Sequence, residues 1–177
     1  RGLEPEFSPL VDQEMSRIAG PSREMSADIR DLTALLWCSI DNDDSRDLDQ
    51  LSVSESMPNG QVKVLVAIAD VDALVKKGTA IDAHAHNNTC SVYTAARIFP
   101  MLPERLSTDF TSLGPDEKRL SVVTEMLFNA DGTLASSTSY RALVLNRAKL
   151  AYDAVAAWLE GKGDLPAPAR AVAGMDA

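Results

Sequence analysis

Residues 51–69 read LSVSESMPNGQVKVLVAIA, two strand-like runs joined by Asn59-Gly60. The first run alternates apolar and polar residues with a period of two, and the second is more continuously apolar. Asn-Gly between two such runs is the strongest short-range signal for a β-hairpin. A two-residue loop would place Asp49 opposite Asp70, whereas a three-residue loop would shift this pairing by one residue. The sequence therefore predicts a hairpin that returns Asp70 to the neighbourhood of Asp49.

The segment just before the hairpin is strongly acidic. Residues 41–50 read DNDDSRDLDQ, with five aspartates in nine positions. Carboxylates this close repel one another, so water, a cationic partner or a metal ion must offset the repulsion. A solvated acidic turn is the simplest interpretation, since Asn, Asp and Ser favour turns. A magnesium site is the alternative, because hard divalent ions prefer oxygen ligands.

The remaining pattern combines strands with scattered helices. Trp37–Ile40 is predicted to be a short buried strand that delivers Asp41 at its end. The predicted class is therefore α+β, with mixed or antiparallel β-hairpins and packed helices. Further predictions are two short helices within residues 71–89, a strand over Cys90–Phe99, a helical turn over Leu106–Leu113, a hairpin of Leu120–Phe128 with Leu134–Leu145, a helix over Lys149–Glu160 and a linker over 164–168.

The first 30 residues differ from the rest. Residues 1–30 contain three prolines around one amphipathic run, Val11–Ile18. This predicts a lead-in or linker over 1–30, packed on a neighbour rather than forming a core element, and a main domain over 31–177. No run approaches the roughly 18 apolar residues of a membrane span. Two cysteines are too few for a disulfide scaffold and suit the cytosol, so a cytoplasmic location without a membrane partner is expected.

Composition restricts the function classes. The net charge of −9 argues against a surface that grips nucleic acid indiscriminately, and no DNA partner is expected. It does not exclude phosphodiester chemistry, because metal-dependent sites are themselves acidic. Seven basic residues in the second half could guide a phosphate backbone: Arg97, Arg105, Lys118, Arg119, Arg141, Arg147 and Lys149.

Several site types can be weighed on residue identity. An EF-hand that starts at Asp41 would need Gly and Glu where Arg46 and Ser52 stand, which excludes it. A glycosidase carboxylate pair lacks aromatic platforms, since aromatics form only 5% of the chain. His84 and His86 with Cys90 could suggest zinc, but histidines two apart on a helix point to different sides. That spacing favours a surface helix.

Several short motifs, in order along the chain, together resemble one family. They resemble the RNB catalytic domain of the ribonuclease II and ribonuclease R exoribonucleases over about residues 30–160. The resemblance identifies the chain as the N-terminal part of such a domain. The motifs are Ser39-Ile40-Asp41, Asp47-Leu48-Asp49, Val66–Val71, Ser91-Val92-Tyr93, Pro100–Glu104, Ser112-Leu113 and Ala148–Tyr152.

The resemblance implies a processive enzyme that degrades single-stranded RNA from the 3′ end to nucleoside 5′-monophosphates. It implies Mg²⁺, with Mn²⁺ as a substitute, and flanking RNA-binding modules in the full-length protein. Asp47 and Asp49 match catalytic aspartates, and Tyr93 and Tyr152 match aromatics that contact RNA, to which we add Arg97 from the basic group. The metal ligands are expected to be Asp41, Asp47, Asp49 and Gln50.

Two positions depart from the family pattern. Gln50 replaces an aspartate and offers an amide oxygen without charge, and Asn88 stands where relatives often carry an arginine. A second hypothesis is therefore a catalytically silent RNB-like protein that binds RNA with a metal site weakened at Gln50. A third hypothesis is an acidic interaction domain with no role in RNA metabolism.

Overall fold

The predicted hairpin forms the centre of a seven-stranded sheet. A computed structural model describes residues 2–176, and its main sheet has the order β1-β8-β7-β4-β3-β2-β9. The β1–β8 and β2–β9 pairs are parallel, and the other neighbours are antiparallel. The strands are β1 (Arg30–Asp31), β2 (Cys38–Asp41), β3 (Gln50–Ser56), β4 (Val62–Ala69), β7 (Lys118–Phe128), β8 (Leu134–Leu145) and β9 (Ala148–Ala151).

The remaining elements surround this sheet. A separate two-stranded hairpin consists of β5 (Val92–Tyr93) and β6 (Ile98–Phe99). Short 3-10 turns cover Pro58–Gly60 and Val71–Ala73, and a π-helical turn covers Leu106–Phe110. The helices are α1 (Pro9–Arg17), α2 (Ala80–Asn88), α3 (Tyr152–Leu159) and α4 (Ala167–Arg170). These elements confirm the α+β class.

The central hairpin uses the longer of the two predicted loops. Met57 donates its backbone N–H to the carbonyl of Gln61, so the loop is the three residues between them. Asn59 and Gly60 both have positive φ, 64° and 74°, which these two residue types tolerate. Asp49 consequently faces Ala69 rather than Asp70, and the Ala69 N–H donates to the Asp49 carbonyl at 2.9 Å.

Three hydrophobic clusters hold the described part of the chain together, and the smallest of them packs Ala148 and Leu150 of β9 against Ala169 of α4. Trp37, Leu51 and Leu65 are almost fully buried on one face of the sheet and form the first core with Val123 and Val144. The second core joins α1, α2 and the π-helical turn. Its buried residues are Val11, Met15, Val75, Ile81, Leu102, Leu106 and Phe110.

The second core corrects the prediction for the first 30 residues. The predicted amphipathic run forms α1, but its Val11 and Met15 are buried against α2 and the π-helical turn. The carboxylate of Glu14 also accepts hydrogen bonds from Ala80 and Ile81 at the start of α2, at 2.8 and 2.9 Å. The prediction that this segment contributes no core element is therefore wrong.

Three other predicted elements differ from those observed. The strand expected over Cys90–Phe99 is broken by a turn at 94–97, where Thr94 and Arg97 are hydrogen-bonded, into β5 and β6. The helix expected from Lys149 begins only at Tyr152, because Ala148–Ala151 pairs with β2 as β9. The segment predicted as a linker contains the short helix α4. Within residues 2–176, no helix is long and apolar enough to cross a membrane.

Asn146 fixes the strand that carries Asp41. Its buried side-chain amide donates to the Ser39 hydroxyl at 3.1 Å and to the Leu113 carbonyl at 2.9 Å. Its side-chain oxygen accepts from the Ala148 N–H at 3.2 Å. One side chain thus joins β2, β9 and the chain around Leu113.

The Asn146→Ala substitution should destabilise the fold. It leaves buried groups in three segments without partners, at an expected cost of about 1–3 kcal/mol in the free energy of unfolding. Urea denaturation would measure this cost. Asn87→Ala is the matched control, because the Asn87 amide makes only an exposed bond to the Gly2 carbonyl. Equal small losses in both variants would contradict the assigned role of Asn146.

Candidate active site

The acidic segment lies where β2 ends and β3 begins. Asp41 is the last residue of β2, and β3 starts at Gln50, so residues 42–49 form the connecting loop. The parallel β9 pairs Ala151 with Asp41, which brings Tyr152, the first residue of α3, to the same end of the sheet. The strand order therefore brings Asp41 and Tyr152 together although they are far apart in sequence.

The Asp41 carboxylate is held by its own loop. One of its oxygens accepts the Asn42 N–H at 2.7 Å and the Ser45 hydroxyl at 2.8 Å. Lys149 donates to the backbone carbonyl of Asp43 at 2.7 Å, which ties β9 to the acidic loop. The sequence interpretation did not anticipate the contacts of Ser45 and Lys149.

Asp47 is hydrogen-bonded to Tyr93, which the sequence places 46 residues away. The Tyr93 hydroxyl donates to the Asp47 carboxylate at 2.5 Å. This hydrogen bond, partial burial and the charge of Asp47 raise the pKa of Tyr93 to about 12. The phenol is therefore a neutral donor at physiological pH, and it links the β5–β6 hairpin to the acidic loop.

The carboxyl group of Asp49 has a raised pKa. Although the residue is exposed as a whole, protein atoms partly desolvate its carboxyl group, and this raises its pKa. The charges of Asp41 and Asp47 raise the pKa of Asp49 further. The three predicted aspartates therefore lie close enough to repel one another.

A buried serine fixes the loop between these aspartates. The Ser112 hydroxyl donates to the Arg46 carbonyl at 2.8 Å and accepts the Leu48 N–H at 3.2 Å. The Leu113 N–H also donates to the Leu48 carbonyl at 2.7 Å, and Leu48 itself is buried. Because Leu48 is anchored in this way, Asp47 and Asp49 are held on either side of a fixed residue. The sequence showed Ser112-Leu113 only as a matching motif.

Two clefts meet at the Asp47–Tyr93 pair. The outer cleft, of about 520 Å³, is lined by the acidic loop, Ile98 and Glu104 among others. The inner cleft, of about 160 Å³, contains Asp49 together with Ala69 and Val71. Four residues line both clefts: Asp47, Ser91, Tyr93 and Ser107.

The donors fit a hard divalent cation in kind, although they are not gathered as a finished coordination sphere. Carboxylate oxygens are the ligands that Mg²⁺ prefers, and a cation would relieve the repulsion at Asp49. Within residues 2–176, however, no group of three or more His, Cys, Asp or Glu side chains is already arranged to hold a metal ion. Asp41 and Asp47 instead accept hydrogen bonds from the hydroxyls of Ser45 and Tyr93. Gln50 opens β3 with an exposed side chain and stays a predicted ligand.

Most of the seven basic residues bind protein groups. Arg97 forms an ion pair with Glu6 at 2.8 Å and also approaches the Pro5 carbonyl. The buried Arg119 pairs with Glu117 and Asp109, and Arg147 donates to the Thr33 carbonyl at 2.6 Å. Arg105 lies over the ring of Phe110. These basic groups are therefore engaged with the protein itself, and their role in guiding a phosphate backbone stays a prediction.

The side chain of Asp70 does not join the acidic loop. Its buried carboxylate accepts Arg141 Nε at 2.7 Å and the Ala73 N–H at 3.2 Å. The other nitrogens of the Arg141 guanidinium bind Glu24 at 2.8 and 2.9 Å. The expectation that Asp70 joins the cluster is therefore wrong for its side chain.

The helix that carries His84 was predicted to lie on the surface, but His84 and Asn88 are buried. The His84 ring is tilted against the Phe7 ring and lies 3.1 Å from the Asn88 amide. Asn88 bonds both the N–H and the carbonyl of Glu4 at 2.9 Å. Both residues therefore fasten the N-terminal segment to α2.

Comparison with known proteins identifies the family. Residues 29–175 match the RNB domain. This chain belongs to the RNB domain family. Ribonuclease R of Mycoplasma genitalium is 35% identical over 162 residues, which cover 90% of this chain and 22% of that protein. Exoribonuclease 2 of Escherichia coli is 35% identical over 144 residues, which cover 81% and 22%. The chain thus spans about a fifth of the length of these relatives.

Solved structures of RNB proteins share the fold. Mycoplasma genitalium RNase R in complex with double-stranded RNA superposes with a TM-score of 0.85 at 33% identity, over 92% of this chain and 29% of that one. The yeast pseudonuclease Ssd1 superposes with a TM-score of 0.65 at 13% identity, over 77% and 18%. At that identity the second likeness shows the fold alone.

The raised pKa of Asp49 predicts how stability depends on pH without divalent cations. An acid whose folded pKa is raised destabilises the folded state above that pKa, and the penalty disappears as the pH falls through it. In EDTA at pH 7, Asp49→Asn should therefore unfold at a higher temperature than wild type, and the difference should vanish under acidic conditions.

Thermal unfolding across this pH range would measure the effect. The exposed Asp44 of the same loop supplies the control, since Asp44→Asn should change stability by less than about 0.5 kcal/mol at any pH. A destabilised Asp49→Asn variant at pH 7 would contradict the proposed repulsion.

Proposed function

We propose that this chain is part of a magnesium-dependent 3′-to-5′ exoribonuclease that hydrolyses single-stranded RNA processively to nucleoside 5′-monophosphates. The observation that carries the proposal is the raised pKa of Asp49, caused by partial burial and by the charges of Asp41 and Asp47. These residues stand at the strand junction of a chain that belongs to the RNB family. A site that accumulates negative charge at this cost is suited to binding cations.

The proposed roles follow from position. Asp41, Asp47 and Asp49 would hold Mg²⁺, for which Mn²⁺ could substitute, with Gln50 as a further oxygen ligand. The bound ion would activate water and stabilise the leaving oxygen in phosphodiester cleavage. Asp47 and Asp49 are the proposed catalytic residues, because both line the inner cleft.

The side chains proposed to contact RNA are mainly aromatic, and only one of them is basic. Tyr93 and Tyr152 are exposed, 62% and 55%, and lie on elements next to the acidic loop. Such rings can stack on bases whatever the sequence. Arg97 could contribute only by sharing or leaving its pairing with Glu6. Because most of the seven basic residues of the second half already contact protein groups, further RNA-binding modules of the full-length protein would contact the phosphate backbone.

We also propose where this chain lies in the catalytic domain and in the cell. We place residues 31–177 in the N-terminal half of the catalytic domain, with residues 1–30 as its entry segment. Cys38 and Cys90 are both free thiols, which agrees with a reducing cytoplasm.

An exonuclease assay on the full-length protein that contains this chain would test the activity. With 5′-labelled single-stranded RNA and Mg²⁺, wild type should shorten the RNA from its 3′ end. Asp49→Asn should lower the rate at least a hundredfold, because it removes a charge from the proposed metal site, while Asp44→Asn should retain the rate. Absence of shortening by wild type, or full activity of Asp49→Asn, would contradict the proposal.

A second candidate function is a catalytically silent RNA-binding protein. It is favoured by Gln50 in place of an aspartate and by carboxylates that are not gathered around one point within residues 2–176. In the same assay this candidate predicts RNA binding that survives chelation, with no nucleotide released.

A further inference from the structure

The Asp47–Tyr93 hydrogen bond forms the boundary between the two clefts. Both residues line the outer cleft of about 520 Å³ and the inner cleft of about 160 Å³, and only the inner cleft contains Asp49. The two clefts therefore adjoin at this pair and at Ser91 and Ser107. The bond is direct, at 2.5 Å from the phenol oxygen to the carboxylate oxygen.

Tyr93 stands on an element that depends on such contacts. The β5–β6 hairpin is a separate sheet with only two residues in each strand. Hairpins of this size are marginally stable by themselves. On one side the hairpin is fastened by the Arg97–Glu6 ion pair at 2.8 Å, and on the other by the Tyr93–Asp47 bond. Breaking the second contact would free the ring and leave the hairpin attached through Arg97.

The Asp47 oxygen that accepts this bond is also a proposed cation ligand. A carboxylate oxygen that accepts a short hydrogen bond from a neutral phenol is partly neutralised and partly covered. A divalent cation that takes the lone pair used by this bond, or that binds both carboxylate oxygens, would displace the hydroxyl.

We propose that the Tyr93 hydroxyl and a divalent cation compete for the Asp47 carboxylate, so that cation binding releases the Tyr93 ring at the boundary of the two clefts. This inference rests on the proposed function for the cation site. It makes Tyr93 a positioning residue: its hydroxyl masks Asp47 in the absence of metal, and its ring becomes free to meet RNA when metal is bound. By reciprocity, RNA that holds the ring would strengthen cation binding.

Mg²⁺ titration by calorimetry of this chain and its Tyr93→Phe variant, without RNA, tests the competition. Phe keeps the ring and removes only the hydroxyl, so Tyr93→Phe should bind Mg²⁺ about three- to tenfold more tightly than wild type, as expected for the loss of one exposed hydrogen bond to a charged acceptor. Tyr140→Phe is the matched control, because it removes a similar bond, from the Tyr140 hydroxyl to the Glu125 carboxylate at 2.6 Å between β8 and β7, and it should bind Mg²⁺ with wild-type affinity.

A double-mutant cycle of Tyr93→Phe and Asp47→Ala on thermal unfolding in EDTA provides a second measurement. Asp47→Ala is used in place of Asp47→Asn, which would keep a carbonyl acceptor. The two substitutions should be non-additive, because each removes the same bond. Additivity would show that the contact does not exist in solution and would overturn the inference. Unchanged or weaker Mg²⁺ binding by Tyr93→Phe, with wild type binding normally, would overturn this inference alone. Absence of Mg²⁺ binding by both proteins would overturn the proposed metal site as well.

Discussion

Repulsion between like charges, imposed by a rigid backbone, is the constraint on which the candidate site depends. The end of β2 fixes Asp41, and the start of β3 together with Ser112 and Leu113 fixes the chain around Leu48. Neither attachment can relax without breaking backbone hydrogen bonds of the sheet. Partial burial of the Asp49 carboxyl group raises its pKa most, and the charges of Asp41 and Asp47, held nearby in the folded protein, raise it further. The fold supplies the rigidity, and the loop supplies the charge.

The charge balance of the chain also explains why its basic residues do not neutralise the aspartates of the acidic loop. A chain with net charge −9 has more carboxylates than cations. Among the residues that the structure describes, five arginines form ion pairs with carboxylates: Arg46, Arg97, Arg119, Arg141 and Arg170. Arg141 satisfies Asp70 and Glu24, and Arg97 satisfies Glu6. These pairs fasten the N-terminal region to the sheet and to the β5–β6 hairpin. The side-chain donors on the carboxylates of Asp41 and Asp47 are the hydroxyls of Ser45 and Tyr93, which offset charge less strongly than a cation does.

The sequence predicted the parts of this arrangement that depend on local pattern. The Asn59-Gly60 hairpin, the strand that ends at Asp41 and the second hairpin each follow from alternation and turn residues, and each is present. Long-range pairing could not be predicted in the same way. Residues 148–151 have a composition that suits a helix, but parallel pairing with β2 makes them a strand. Likewise, Val11 and Met15 formed an amphipathic pattern whose partner could not be known before α2 was placed. The Asp47–Tyr93 bond joins two motifs that the family resemblance singled out separately.

The position of a bound divalent cation tests most directly whether this strand junction is a metal site. Crystals of the chain soaked in MnCl₂ would locate Mn²⁺ by its anomalous scattering. The predicted result is one dominant peak within coordination distance of carboxylate oxygens of Asp41, Asp47 or Asp49, with the Tyr93 hydroxyl no longer bonded to Asp47. No peak at this junction, or a dominant peak elsewhere such as at Glu14 or His84, would contradict it.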